Sequence, residues 1–304
     1  MSHSFGPKQI HASGKLMLTG EYAVLDGALA WAVPTVLGQN LSAIPSPGAG
    51  LKWQSTNSKG EAWFRGLWDS DGKLLNQNDI EVAETLHRLL MKALDLNSNP
   101  FGGWSVETQL EFPNAWGLGS SSSLVALLAH WLEVNPHELF YNTLTGSGYD
   151  VAVAYENAGV LFQLHESKPE YEITLHHPTF ADQLYFAYSG KKQNSQREVK
   201  SYSQLAPEVR QTLVDPITEL TKQMHSTENF HHFCRCMSQH EEILGTIMEG
   251  EVLQNTIPNL SGTIKHLGAW GGDFFLLATE DSRDLERLKA HGITTIFNWN
   301  ELIL

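Results

Sequence analysis

Residues 113–123, "PNAWGLGSSSS", set a Gly-Leu-Gly turn and four consecutive serines between two stretches of opposite character. Before them "GGWSVETQLEF" alternates apolar and polar letters, the period of two that suits a half-buried strand. After them "SSSSLVALLAHWLEV" is a mostly apolar run that reads as a helix. The order strand, glycine loop, helix constrains the chain more than any other stretch. A helix opens with backbone N–H groups that have no partner inside the helix and with a partial positive charge, so its mouth is a natural seat for phosphate. Gly117 and Gly119 have no side chain to keep a polyphosphate away, and a serine hydroxyl just beyond them can ligate Mg²⁺ or donate to a phosphate oxygen. A serine-capped helix after an ordinary turn accounts for the same letters, because serine is a favoured N-cap. The spacing is neither G-x-x-x-x-G-K-[ST] nor G-x-G-x-x-G, and it lacks the G-x-S-x-G of a serine-nucleophile elbow. A phosphate cradle without a lysine in the loop is what remains.

An anion held there needs local cations, because the 304 residues carry 20 Lys and Arg against 34 Asp and Glu, a net charge of −14. Lys15, Lys191, Lys192, Arg197 and Lys265 all lie beside glycines or turns. The same acidity argues against nucleic acid as a partner. With 41% hydrophobic and 18% charged residues the chain can bury a real core, as one large domain or two. No run of 18 apolar residues predicts a membrane span, and "MSHSFGPKQIHASGK" lacks the basic and apolar parts of a secretory signal, so no membrane partner is expected and the cytoplasm is the expected compartment. Cys234 and Cys236, one residue apart, do not suit a mutual disulfide. His231, His232 and His240 bring a metal site into view, but Phe230, Phe233, Met237, Leu244 and Met248 recur at helical spacing and favour an ordinary helix.

Along the chain, "KQIHASGKLMLTGEYAVLDGALAWAVP" predicts a strand, a tight turn and another extended piece. Residues 46–78 predict hairpins and an irregular connection; their Trp53, Trp63, Phe64 and Trp68 suit core packing better than an adenine pocket. Ile80, Val82, Ala83, Leu86, Leu89, Leu90 and Ala93 form a helical stripe, opened by Asn78 or Asp79 as a cap. A shorter helix from Pro136 leads to "TGSGYDVAVAYENAGVLFQLHE". Strands are then expected at "YEITLHH", "QLYFAYSG" and "DFFLLATE", and helices over 206–224 and 228–250. The class is α+β in two lobes, an N-terminal one over 1–180 that carries the phosphate loop and a C-terminal one over 181–304.

Three separated motifs in one order resemble the GHMP kinases, the small-molecule kinases of galactose, homoserine, mevalonate and phosphomevalonate. "HASGKLMLTGEYAVLDG" resembles their first motif, "PNAWGLGSSSS" their phosphate loop, and "IKHLGAWGGDFFLLA" their glycine-rich third motif. "GSGYDVAVA" is similar to the segment carrying the catalytic aspartate, in the style of phosphomevalonate kinase, and "YSGKKQNS" leans the same way. The resemblance implies an N-terminal lobe like ribosomal protein S5 domain 2, a ferredoxin-like C-terminal lobe, and ATP with Mg²⁺ as cofactors. It implies Asp150 and Lys15 as catalytic residues, with Asp150 taking or polarising the acceptor's proton and Lys15 stabilising the transferring group. Gly117, Leu118, Gly119, Ser120, Ser121 and Ser122 would hold the phosphates. Ser121 and Glu138 would serve the metal, although Glu138 suits a solvated helix surface equally well. Glu21, Ser147, Lys191, Lys192, Gly268 and Gly271 would face the acceptor. The chain departs from the pattern at Ser13 for proline, at Ser122 and Ser123 for alanines, and at Trp270 for glycine.

The function that follows is transfer of the γ-phosphoryl group of ATP to a hydroxyl or phosphate of a small anionic acceptor, phosphomevalonate or mevalonate first, in isoprenoid synthesis. A catalytically weakened nucleotide-binding regulator on the same fold and a kinase of a sugar or amino alcohol are the alternatives. A homodimer is left open.

Overall fold

The computed structural model describes residues 7–48, 50–97, 103–191, 195–248, 252–268, 270 and 272–304. In chain order the strands are β1 (Lys8–Thr19), β2 (Ala30–Pro45), β3 (Leu51–Thr56), β4 (Ala62–Trp68), β5 (Leu74–Gln77), β6 (Trp104–Leu110), β7 (Gly159–His165), β8 (Lys168–Thr174), β9 (Leu184–Tyr188), β10 (Thr263–Leu267), β11 (Phe274–Ala278) and β12 (Ile296–Asn298). The helices are α1 (Ile80–Asn97), α2 (Ser120–Leu132), α3 (Pro136–Thr143), α4 (Tyr149–Glu156), α5 (Ser195–Ser203), α6 (Pro207–Gln211), α7 (Val214–Ser226), α8 (Phe230–Ile247), α9 (Arg283–Ala290) and α10 (Trp299–Leu302). The α+β class read from the sequence is the class observed. The chain groups into two compact units: the first takes the chain up to Gly14, Leu37–Asn114 and Leu118–Asn157, and the second takes Lys15–Val36, Ala115–Gly117 and Ala158–Leu304.

In the first unit β5, β4, β3, β6 and the later half of β2 lie side by side, antiparallel except where β3 runs parallel to β6. The alternation read in "WSVETQL" is real: Val106, Thr108 and Leu110 are buried, while Ser105, Glu107 and Gln109 are exposed. Trp53, Phe64 and Trp68 belong to the core, whereas Trp63 stands 40% exposed. Across the sheet's inner face, Ala83, Leu86, Leu89, Leu90 and Ala93 of α1 join Val125, Leu128 and Leu132 of α2 and Leu139 of α3 in one cluster. Each large side chain so buried contributes roughly 1.5–3 kcal/mol. Of the two caps the sequence offers, Asp79 does the capping, accepting from Glu81 N at 3.1 Å and Val82 N at 3.2 Å, while Asn78 accepts from Arg65 N.

The second unit carries a four-stranded antiparallel sheet in the order β10-β11-β9-β12, and its central β11 is buried at every position. The first half of β2 pairs with β7, and β7 pairs with β8. Helix α8 is the stripe expected over 228–250, capped by Asn229 and burying Phe233, Cys236, Met237, His240, Glu241 and Leu244. Cys234 and Cys236 are free thiols, and no metal-binding group of three ligands occurs among the described residues. The helix predicted over 206–224 is instead two, because the chain turns at Thr212 and Leu213 and restarts with Pro216 in the first turn of α7, where a missing N–H costs nothing. The strand, tight turn and extended piece read at the start of the chain are β1, which runs on through Gly14, the turn at Gly20 and the residues after it, and β2. Among the described residues no helix is long and apolar enough to cross a membrane.

Candidate active site

The Gly-Leu-Gly turn does what its glycines permit. Gly117 has φ 66° and Gly119 has φ 89°, both in the left-handed region, and α2 begins immediately at Ser120. The four serines separate by task. Ser120 Oγ donates to Asn114 Oδ1 at 3.1 Å and Ser122 Oγ to Gly119 O at 2.9 Å, so both tie the turn to itself. Ser123, fully buried, donates to Gln39 Oε1 at 2.8 Å and fastens the helix start to β2. Ser121 is the exposed one of the four, and Leu118 is buried beneath the turn. The serines that stand for alanines, Ser122 and Ser123, thus have structural partners. Within the second unit, a Cβ on Gly117 would be driven into the Asp273 carboxylate. Gly117→Ala is therefore expected to lower stability by roughly 1–3 kcal/mol from clash and backbone strain, with part recovered in Gly117→Ala/Asp273→Ala. Equal urea midpoints for Gly117→Ala and wild type would show that the loop simply moves off Asp273.

Asp150 lies in the first turn of α4, half-buried, behind two left-handed glycines, Gly146 and Gly148. Its Oδ1 accepts from Val151 N at 3.0 Å. The turn before it is held by α3: the His137 ring meets Gly148 O through Nε2 at 3.1 Å, and Tyr141 Oη donates to Ser147 O at 2.5 Å. Burial pushes the His137 imidazole below its usual range, so it stays a neutral donor, and burial reinforced by Asp150 pushes the Tyr141 phenol up to about 12. Ser13 is fully buried; its N–H donates to Asn157 Oδ1 at 2.7 Å and its Oγ to Val153 O at 3.4 Å, two bonds along α4, the first of which a proline could not make. Glu138 is exposed in the first turn of α3, its N–H taken by the Asn135 cap.

The other candidates fall in the second unit. Lys15 is half-buried on β1, Lys191 is exposed just after β9, and Gly268 has φ 74° with open space where a Cβ would stand. Lys192, Gly271 and the Arg197 side chain lie outside the described residues. Glu21 and Lys265 are sealed from solvent: Lys265 Nζ donates to Glu21 Oε1 at 2.6 Å, Leu18 O at 3.0 Å and His266 O at 2.7 Å, so its three donors are committed and it holds no external anion. Burial, the largest single influence, would raise the Glu21 carboxyl, but the Lys265 charge, His240 and the hydrogen bonds at the carboxylate together outweigh it and bring the group down to about 2. His240 is kept neutral by burial and by Lys265. Gly20 N–H donates to its Nε2 at 3.2 Å, so that nitrogen carries the lone pair and offers no proton to Glu21 Oε2 at 3.1 Å.

Residue 270, where a glycine was expected, finds its place nearby. Trp270 N–H donates to Tyr22 Oη at 2.5 Å, and its ring lies 4.5 Å from that of His266, whose Nδ1 is 2.6 Å from the buried Glu241. Tyr22 itself has φ 60°, a strained value for an aromatic residue, at the turn that ends β1. His240, Glu241 and His266 were not singled out as a buried polar cluster by sequence; the available signal was polar letters on otherwise buried positions, as in "TIKHL".

No protein-family model matches the sequence, and no curated protein is a significant match. Solved structures do match. A Listeria innocua protein, Lin0012, has a TM-score of 0.75 at 17% identity, covering 96% of this chain and 97% of that one. The phosphomevalonate kinase of Streptococcus pneumoniae, in complex with phosphomevalonate and AMPPNP, has 0.68 at 16%, covering 96% and 99%. The L. major mevalonate kinase in complex with R-mevalonate has 0.66 at 16%, covering 96% and 94%. A galactokinase and a heptose 1-phosphate kinase match as well. The fold is that of the GHMP kinases; at these identities the likeness establishes the fold alone.

Proposed function

We propose that this chain is an ATP-dependent small-molecule kinase whose acceptor is phosphomevalonate or mevalonate. The observation that carries the reading is the turn at 117–121: two left-handed glycines deliver the chain into the mouth of α2, with Ser121 exposed and its three neighbours tied or buried. Backbone N–H groups from Gly117 to Ser122 would hold the phosphates of ATP, since no Cβ at 117 or 119 stands in their way. Mg²⁺ takes hard oxygen ligands and few from protein, which suits the exposed hydroxyl of Ser121 with the exposed carboxylate of Glu138; bound there, it would neutralise charge on the transferring group. In the roles the family resemblance implies, Asp150 would accept the proton of the acceptor hydroxyl and Lys15 would offer positive charge to the phosphoryl group, while Ser147, which is buried, is not a surface for the acceptor. Glu21, expected from the sequence to face the acceptor, is sealed from solvent and committed to Lys265, so it is left out of the acceptor's set.

Phosphoryl transfer needs position and charge compensation more than covalent chemistry, and these residue types are suited to both tasks. A mixture of protein, ATP and Mg²⁺ should release ADP with phosphomevalonate or mevalonate and not without them. Nucleotide binding with no ADP release across phosphomevalonate, mevalonate, galactose and heptose phosphate would replace the kinase with a regulatory protein. Lys191 favours an anionic acceptor: its N–H is held by Ser189 Oγ at 3.1 Å, and that hydroxyl donates back to Lys191 O, which fixes the backbone and leaves the side chain exposed. Lys191→Ala/Lys192→Ala is expected to raise KM for a phosphorylated acceptor at least about tenfold and KM for ATP far less, since each charge-assisted contact is worth roughly 1.5–3 kcal/mol. An unchanged acceptor KM would make both lysines surface charge and put mevalonate first.

A further inference from the structure

Resting on that reading and deepening it, we infer that Trp116 and Tyr188 are positioning residues that set the place of the phosphate loop. Pro113, Asn114 and Ala115 are exposed, yet the next residue is a half-buried tryptophan. Its ring lies 5.5 Å from that of Phe297 and 6.0 Å from those of Phe274 and Tyr188, edge-on to both phenylalanines. Those three residues belong to β12, β11 and β9, neighbours in one sheet, so the box that receives Trp116 is built on hydrogen-bonded strands rather than on loops. Tyr188 adds a second tie, its Oη donating to Ala115 O at 3.1 Å. Gly117 adds a third, its missing side chain leaving the space that Asp273 occupies.

Three consecutive residues are thus fastened, one by a hydrogen bond, one by an aromatic box and one by close approach. Gly119 is only three positions beyond Trp116, a span of at most about 10 Å. The N–H groups that follow therefore have little freedom to wander once Trp116 is seated. Misplacement by about 1 Å is enough to cost roughly 10² in a reaction that depends on orientation. A glycine turn lacks this stiffness on its own, because glycine is the freest of residues. Both aromatics act through the loop rather than on a reacting atom.

The test uses the full chain with Trp116→Ala, Trp116→Phe and Tyr188→Phe, read by amide hydrogen exchange of residues 117–121 without nucleotide, by ADP affinity, and by KM for ATP against kcat. Trp116→Ala should speed exchange in the loop and raise KM for ATP about tenfold or more. Trp116→Phe should restore most of both, and Tyr188→Phe should fall in between. Wild-type exchange and wild-type KM in Trp116→Ala would overturn the inference, as would equal defects in the Ala and Phe variants. Should Trp116→Ala fail to fold, Tyr188→Phe removes a single hydroxyl and keeps the question open to the same readouts; unchanged exchange there would count against the tie. Absence of nucleotide binding by the wild type would sink the kinase reading instead, while the exchange comparison would still decide whether the loop is anchored.

Discussion

Asp150→Asn is expected to lower kcat by roughly 10² or more while leaving KM for ATP within a factor of about two. Asparagine has the shape of aspartate, and its amide oxygen can accept the Val151 N–H bond that Asp150 Oδ1 accepts at 3.0 Å. The start of α4 does not depend on the charge either, since Gly148 takes the left-handed turn and His137 and Tyr141 hold the carbonyls before it. What the change removes is the ability to take a proton. Single-turnover rates for the two proteins, with melting temperatures alongside, separate chemistry from folding. Turnover near that of wild type would reduce Asp150 to a helix-start residue. A loss of ATP affinity as large as the loss of rate would mean that the carboxylate serves the nucleotide rather than the acceptor.

The parts of this molecule that follow from local sequence were legible before any coordinates. Period-two alternation placed β6, a stripe of seven apolar residues placed α1, and glycines with serines placed the turn into α2. What local letters do not carry is partnership across the chain. Ser123 finds Gln39 84 positions away, and Lys265 finds Glu21 244 positions away. Lys265 was visible as a cation beside a glycine-rich motif, but burial turned it from a ligand for anions into an internal strut. Trp116 drew no notice inside its motif because a tryptophan in an exposed loop looks accidental until the strands that box it are known. Trp270 stood out only as a departure from the motif for the same reason: its partner Tyr22 comes from a distant segment, and its contact with His266 depends on the fold. The candidate site is likewise legible as motifs along the chain, while the supports of each motif, such as His137 under Gly148, are tertiary.

Lys265→Met is expected to destabilise the protein by roughly 3–5 kcal/mol, because it leaves the Glu21 carboxylate buried without its cation. Methionine fits the volume but offers none of the three donors, so Leu18 O and His266 O lose their partner as well. Adding Glu21→Gln to Lys265→Met removes the stranded charge and should recover a large part of the loss. The pH dependence follows from the same cluster. Glu21 is held at about 2 against an ordinary 4.5, so the unfolded chain takes up a proton there before the folded one does. Its contribution is full above about 4.5 and is lost as pH falls through about 2. His240, depressed below its ordinary 6.5, acts in the same direction from that pH downward. Urea midpoints of the wild type should therefore fall steadily as pH drops below 6.5. In Glu21→Gln/Lys265→Met the portion below 4.5 should become shallower by the share of Glu21, the lowered carboxylates Glu111, Glu241, Asp281 and Asp284 keeping theirs, while the portion near 6.5 persists with His240. A Lys265→Met variant as stable as wild type, or a double variant with the same slope below 4.5, would mean that water reaches Glu21 and that the pair is not an internal strut.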